Sequence, residues 1–385
     1  MSARVWVLTP RVAAGAMFFA FGVGIGAWSG ASAAIVARIG LNPSTYGAAL
    51  TLFTAAYLLA MSSAGAISRR FTAKRALVVS ALASAPALAA LLLTRGVVSY
   101  FVLQSIYGFL AGVVDLTMNA TGARVERGLG RPVLAGMHGA ASAGVAISAA
   151  AAGLIATSAA PWISCLVVIA MLWAAAAAVE FAVAADRGES VGSVAVDRRA
   201  FASRSLAALG LVIGACIACE SAAIGWSGLV LRLEAPELAA VAGLGATFFA
   251  GCQALQRFNV DRLRARVADR RLIVGSLAVA AIGFFLVAFE PGFALSVVGF
   301  AIIGFGTGAV VPCGFALAAT QPGVSAAAGL SAAAFFGTFA RLPAPLIAGA
   351  VAQALSLSAA FALFALLLVA ALAATLRFVK PRASA

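Results

Sequence analysis

Apolar positions in this chain are gathered into long, nearly continuous runs, separated by short breaks that carry charge, proline or glycine. A bilayer core of about 30 Å is crossed by about 20 apolar residues in an α-helix, and a run of that length is the recurring unit. Twelve spans are expected, over residues 12–36, 46–67, 76–94, 97–121, 133–157, 161–183, 205–230, 237–256, 272–289, 292–317, 325–350 and 357–376. The first run is too long for the apolar core of a cleaved leader and reads as a retained span. The fold class is therefore an all-α polytopic membrane protein with twelve transmembrane helices. Its longest polar break, residues 185–204, divides an N-terminal six-helix bundle (1–184) from a C-terminal one (205–385), and the break itself reads as a cytoplasmic linker.

The two halves repeat each other. Trp28-Ser29-Gly30 returns as Trp226-Ser227-Gly228, at an offset of 198 residues. "KRALVVSAL" at 74–82 aligns with "RRLIVGSLA" at 270–278, and "GFLAG" at 108–112 with "GFGTG" at 304–308, both at an offset of 196. Parallel six-helix repeats with a binding site between them, near the bilayer midplane, are one known transporter organisation.

Composition sharpens this picture. The chain is 64% hydrophobic and 10% charged, against about 45–50% and 25% in soluble domains. A net charge of +14 would suggest nucleic acid in a soluble protein. With both termini in the cytoplasm, however, every Lys and Arg except Arg38, Arg95, Arg232 and Arg341 falls on the inner side. That is the positive-inside bias of a bacterial inner-membrane protein, so the bilayer replaces nucleic acid as the expected partner. The five cysteines lie within apolar spans and read as small buried hydrophobes. Cys216-x-x-Cys219 lacks a second pair or a histidine, so no metal is expected. The glycine strings of the first and tenth spans follow no strand, so no cofactor is expected either. With one histidine and no nucleophile–base spacing, the chain does not read as an enzyme.

The order of these features resembles the major facilitator superfamily over essentially the whole chain. "FNVDRLRARVADRR" between spans 8 and 9 is similar to that superfamily's motif A, with Asp261 and Arg262 in the key places and Arg266 in the basic cluster, which implies a gating loop. The matching "GAISRRFTAKR" is degenerate, with Arg69 where the acid is expected. "MNATGARVERGLGRPVLAGMHGAASAG", "CESAAIGWS" and the glycines before Pro312 resemble the bacterial YbjJ-like permeases. Where those permeases tend to carry Gly-Arg near the end of span 8, this chain has Cys252-Gln253. Gln104 stands where many proton-linked members carry an arginine, and the fifth span lacks the Gly-Pro pair of drug antiporters.

Charges inside a bilayer cost at least about 2.5–3.5 kcal/mol and so mark cavities or pathways. Glu220 and Arg341 lie at similar depth in spans 7 and 11 and are expected to form an ion pair, either functional or static. Asp115 shares a helix face with Asn119 and lies at the depth of His138, so it serves either as a proton relay or as an inner gate pairing with Arg124 or Arg127. Trp28 and Trp226 read as interfacial anchors or as aromatic walls of a cavity. The function expected is secondary active transport of a small polar organic solute by alternating access, coupled to protons through Asp115, Glu220 or His138, by a monomer. A transport-inactive membrane sensor or scaffold, or a proton-driven exporter of amphipathic compounds, is the alternative.

Overall fold

The computed structural model describes residues 8–184 and 197–379, and twelve spans order them. Span 1 is Pro10–Ile39, span 2 Pro43–Ser62, span 3 Ala73–Leu93, span 4 Val97–Leu129, span 5 Leu134–Ala156 and span 6 Trp162–Ala182. Span 7 is Arg204–Glu234, span 8 Leu244–Arg264, span 9 Asp269–Ala288 and span 12 Leu357–Phe378. Spans 10 and 11 are each two helices, Phe293–Thr307 with Val310–Ala319 and Ala326–Arg341 with Ala344–Ala354. Among the described residues every regular element is helical. The 185–204 linker lies mostly outside the described residues, which resume at 197 with a short helix, Arg198–Ala202.

The breaks follow from proline chemistry. Pro312 has no N–H for the Gly308 carbonyl, and Pro343 and Pro345 have none for Phe339 and Arg341. Span 3 keeps its course across Pro86 because the Trp173 indole N–H of span 6 donates to the orphaned Leu82 carbonyl at 3.1 Å. Two of the arginines outside the positive-inside pattern are occupied by backbone carbonyls. Arg38 donates to Leu92 (2.7 Å) and Thr94 (3.1 Å) at the end of span 3, and Arg232 donates to Ala33 at 3.0 Å. At the end of span 3 the Arg38 cation offsets carbonyls that the helix leaves unpaired.

Packing repeats from half to half. Span 1 lies against 5 and 6 as span 7 lies against 11 and 12, span 4 against 2 and 3 as span 10 against 8 and 9, and span 3 against 6 as span 9 against 12. Small residues allow the closest approach: Gly22, Gly26 and Gly30, one turn apart, rest on the backbone of Ala141, Val145 and Ala149 in span 5.

The halves meet through spans 1 and 7, 2 and 11, and 5 and 8. Many of these contacts lie at the end of the bundle bearing the loop between spans 1 and 2. There Ser29 donates to the Ile224 carbonyl and Tyr46 to Gly225 (2.7 Å), while Gly243 sits on Ala149. At that end the second helix of span 11 packs on span 2, whereas its first helix packs chiefly on spans 7 and 10 of its own half.

Span 8 departs from the apolar run. Its helix covers 244–264 rather than 237–256, and Pro236–Val241 forms a separate 3-10 turn. Eleven spans are long and apolar enough to cross a membrane on length and composition, and span 8 is not among them. Its polar Gln253, Gln256 and Arg257 fall three and four residues apart on one helix face, turned toward spans 5, 7, 9 and 10 instead of lipid. The helix therefore continues beyond the point where hydropathy ends it.

Candidate functional site

Spans from both halves enclose a cavity of about 260 Å³. Asp115 lies midway along span 4 and Glu220 midway along span 7, and both face it. Arg341 is the last residue before the break in span 11, where Pro345 leaves its carbonyl without a helical donor.

Glu220 pairs with Arg257 and not, as its depth suggested, with Arg341. The Arg257 Nη2 to Glu220 Oε2 distance is 3.2 Å, with the two side chains 18% and 13% exposed. Arg257 Nη1 also donates to Ser142 Oγ in span 5 at 3.0 Å. Ser142 in turn donates to Gln253 Oε1 at 3.1 Å, and Gln253 Nε2 donates to Thr307 Oγ1 at 3.2 Å, at the break in span 10. An ion pair inside the C-terminal half is thus tied by one hydroxyl to the N-terminal half. Arg257 reads as a loop residue by hydropathy; the signal that identifies it is its place one helical turn after Gln253.

A second bridge joins Asp115 to span 11. Tyr57 donates to Asp115 Oδ2 at 2.6 Å and Asn119 Nδ2 to Oδ1 at 3.0 Å. The Arg341 guanidinium lies 4.7 Å from the centre of the Tyr57 ring, which carries the contact from one half to the other. His138 also lines the cavity, edge-on to Phe18 at 5.0 Å, and among the described residues no hydrogen bond joins it to Asp115. Sequence reasoning passed over Tyr57, an ordinary aromatic in an apolar span.

Both repeated tryptophans line the cavity. Trp226 is 2% exposed and meets Tyr46 edge-on at 4.9 Å, while Trp28 stacks on Phe53 with centroids 6.3 Å apart. Cys216 and Cys219 are both buried, and the Cys216 thiol points at Glu220 Oε1 from 3.8 Å.

The stretch 119–144 acts as a brace. Asn119 holds Asp115, Ser142 holds Arg257, and Glu126 Oε2 accepts the Val133 and Leu134 N–H groups at 2.7 and 2.8 Å, closing the turn into span 5. Asp261 and Arg262, expected in the loop after span 8, lie instead in the last turn of its helix, and only Arg266 is in the loop; all three are exposed, with Arg262 reaching Asn259 at 3.3 Å. The ion pair of this loop is Arg264 to Asp269, at 2.7 Å, at the start of span 9. Asp269→Asn is therefore expected to lower the thermal midpoint measurably, and Asp261→Asn to leave it in place; equal midpoints by fluorescence-monitored unfolding would show that the loop is braced otherwise.

Similarities to known proteins agree with this architecture. An uncharacterised MFS-type transporter of Yersinia pestis is 25% identical over 364 residues, covering 94% of each chain. A point variant of the nucleoside transporter NupG superposes with a TM-score of 0.78 at 13% identity, over 97% of this chain and 100% of that one. A bacterial homologue of the human lysosomal transporter Spinster gives 0.68 at 14% identity, over 95% of each. The family model of the Major Facilitator Superfamily matches residues 12–343, and the chain belongs to that superfamily of secondary transporters.

Proposed function

We propose that this protein moves a small polar organic solute across the bacterial inner membrane by alternating access, driven by protons. The observation that carries the reading is the cavity itself: enclosed by both halves, and crossed by two polar bridges whose acids, Asp115 and Glu220, each hold a partner that a proton would release. Its volume lies just below the range of drug-sized ligand cavities, about 300–1,000 Å³, which favours a metabolite-sized solute. The bundles 1–184 and 205–385 are the moving bodies, and the linker and both termini lie in the cytoplasm. In that orientation the clustered contacts between the halves are extracytoplasmic and the cavity faces inward. The chain works as a monomer, because each bundle supplies one wall.

Purified protein in proteoliposomes tests the reading. A gradient of one pH unit holds about 1.4 kcal/mol, enough for about tenfold accumulation of a solute that travels with one proton. Wild type is expected to reach that ratio. Asp115→Asn is expected to exchange solute across the membrane yet stop at equal concentrations. Accumulation unchanged in both Asp115→Asn and Glu220→Gln would remove proton coupling, and binding without any flux would mark a sensor instead.

A further inference from the structure

We infer that the solute is a monocarboxylate with an apolar or aromatic body, that Arg341 receives its carboxylate, and that one proton travels with it on Asp115. The inference deepens the transport reading above and rests on it. The two cavity arginines differ in their partners. Arg257 is matched by Glu220 and Ser142. Arg341 forms no salt bridge among the described residues; its guanidinium has the Tyr57 ring, and its Nε is buried with no hydrogen-bond partner. A ring face is a weak substitute for a carboxylate, whose two oxygens fit the guanidinium fork.

The remainder of the wall selects the solute's body. Phe21, Ile25, Phe53, Met118 and Ile217 are apolar, and Trp28 with Phe53 forms a flat stacked pair, with an interplanar angle of 3°. Ser142 and Gln253 already engage each other, Arg257 and Thr307. For the several hydroxyls of a sugar or nucleoside the wall keeps Ser221, His138 and the Trp28 indole N–H uncommitted among the described residues, too few to pair them all, and unpaired polar groups are costly when buried.

Charge supplies the coupling. The cavity holds two acids and two arginines, so a bound anion leaves one negative charge in excess. One proton from the solution facing the cavity, bonded to Asp115 Oδ2, restores the balance and leaves with the solute on the other side. The groups facing Asp115 are Tyr57 from span 2, His138 from span 5, Glu220 from span 7, Arg257 from span 8 and Arg341 from span 11. Spans 1 and 3 carry no ionisable side chain between Arg11 and Arg38 or between Arg75 and Arg95. Proton and anion therefore strengthen each other's binding, reciprocally.

The test uses the full-length protein and paired probes: benzoate and hexanoate, their neutral twins benzamide and hexanamide, and glucose and uridine, titrated calorimetrically. Each acid is expected to bind at least about tenfold tighter than its amide. Its affinity should rise by up to about tenfold per unit as pH falls from about 8 to 6. Arg341→Gln should abolish the preference for acid, and Asp115→Asn should flatten the pH dependence. Amides that bind as well as acids, acids that do not bind, or a preference that survives Arg341→Gln would each overturn the inference. The wild-type ratio decides even if a variant fails to fold. In proteoliposomes, glucose or uridine crossing where the acids do not would sink this inference and leave transport standing. Acids that bind tightly and never cross would sink the transport reading and leave the anion site.

Discussion

Arg257→Ala should abolish transport and destabilise the protein by about 3 kcal/mol, while Arg257→Gln combined with Glu220→Gln should recover most of the stability and none of the transport. Removing one partner of a buried pair leaves the other charge uncompensated, which costs about 3–5 kcal/mol. Glu220 has little else to turn to, since its side chain is 13% exposed and its other close neighbour is the Cys216 thiol. The cost has a ceiling, because the carboxyl can take a proton instead. The deficit of Arg257→Ala should accordingly shrink as pH is lowered, since a proton then does what the guanidinium did. The double variant has no charge to neutralise at any pH. Thermal midpoints across pH for wild type, the single variant and the double variant measure this directly. A single variant as stable as wild type at pH 7 would mean that water in the cavity already solvates Glu220, and the pair would then be no brace.

The span count, the repeat and most of the charged residues of the cavity lining were legible in the sequence for a common reason. A charged or imidazole side chain within an apolar run has no solvent in lipid and must face the protein interior, so Asp115, Glu220, Arg341 and His138 could be assigned to the interior one by one, and all four line the cavity. Pairing was another matter. Distance along a helix can be counted at 1.5 Å per residue, which put Glu220 and Arg341 at one depth. The angle each side chain makes around its helix axis, relative to a neighbouring helix, depends on packing between residues far apart in the chain. That angle gives Glu220 to Arg257 and Arg341 to Tyr57. Hydropathy also hid Arg257, because it ends a span where polar residues begin, whereas a cavity-facing helix continues through them. The recurring Trp-Ser-Gly triplets pointed to a duplication, and in the structure they come together where spans 1 and 7 cross, with Gly225 and Gly228 against Trp28 and Ser32.

The second large effect is expected at that same closed end. Gly349→Val should hold the protein open toward the loop joining spans 1 and 2 and stop transport with little loss of fold. A Cβ on Gly349 would stand 2.6 Å from the Pro43 carbonyl oxygen and 2.9 Å from the Gly47 Cα. Both obstacles are backbone and cannot swing aside, so spans 2 and 11 must separate there. Overpacking of this kind costs about 1–3 kcal/mol, and it is charged only to the conformation in which the two spans touch. A difference of about 3 kcal/mol moves a two-state equilibrium by roughly 150-fold, comparable to the few kcal/mol that commonly separate two conformers. Leu50, buried in the cavity wall beside this contact, reports the change. With Leu50→Cys in a background lacking the native cysteines, a membrane-impermeant maleimide added from that side should label at least about tenfold faster once Gly349→Val is present. Gly136→Ala, where a Cβ meets nothing within 4 Å, should change neither labelling nor flux. Unchanged labelling with normal transport in Gly349→Val would show that spans 2 and 11 yield locally, and the close glycine contact would then not set the balance between the two conformations.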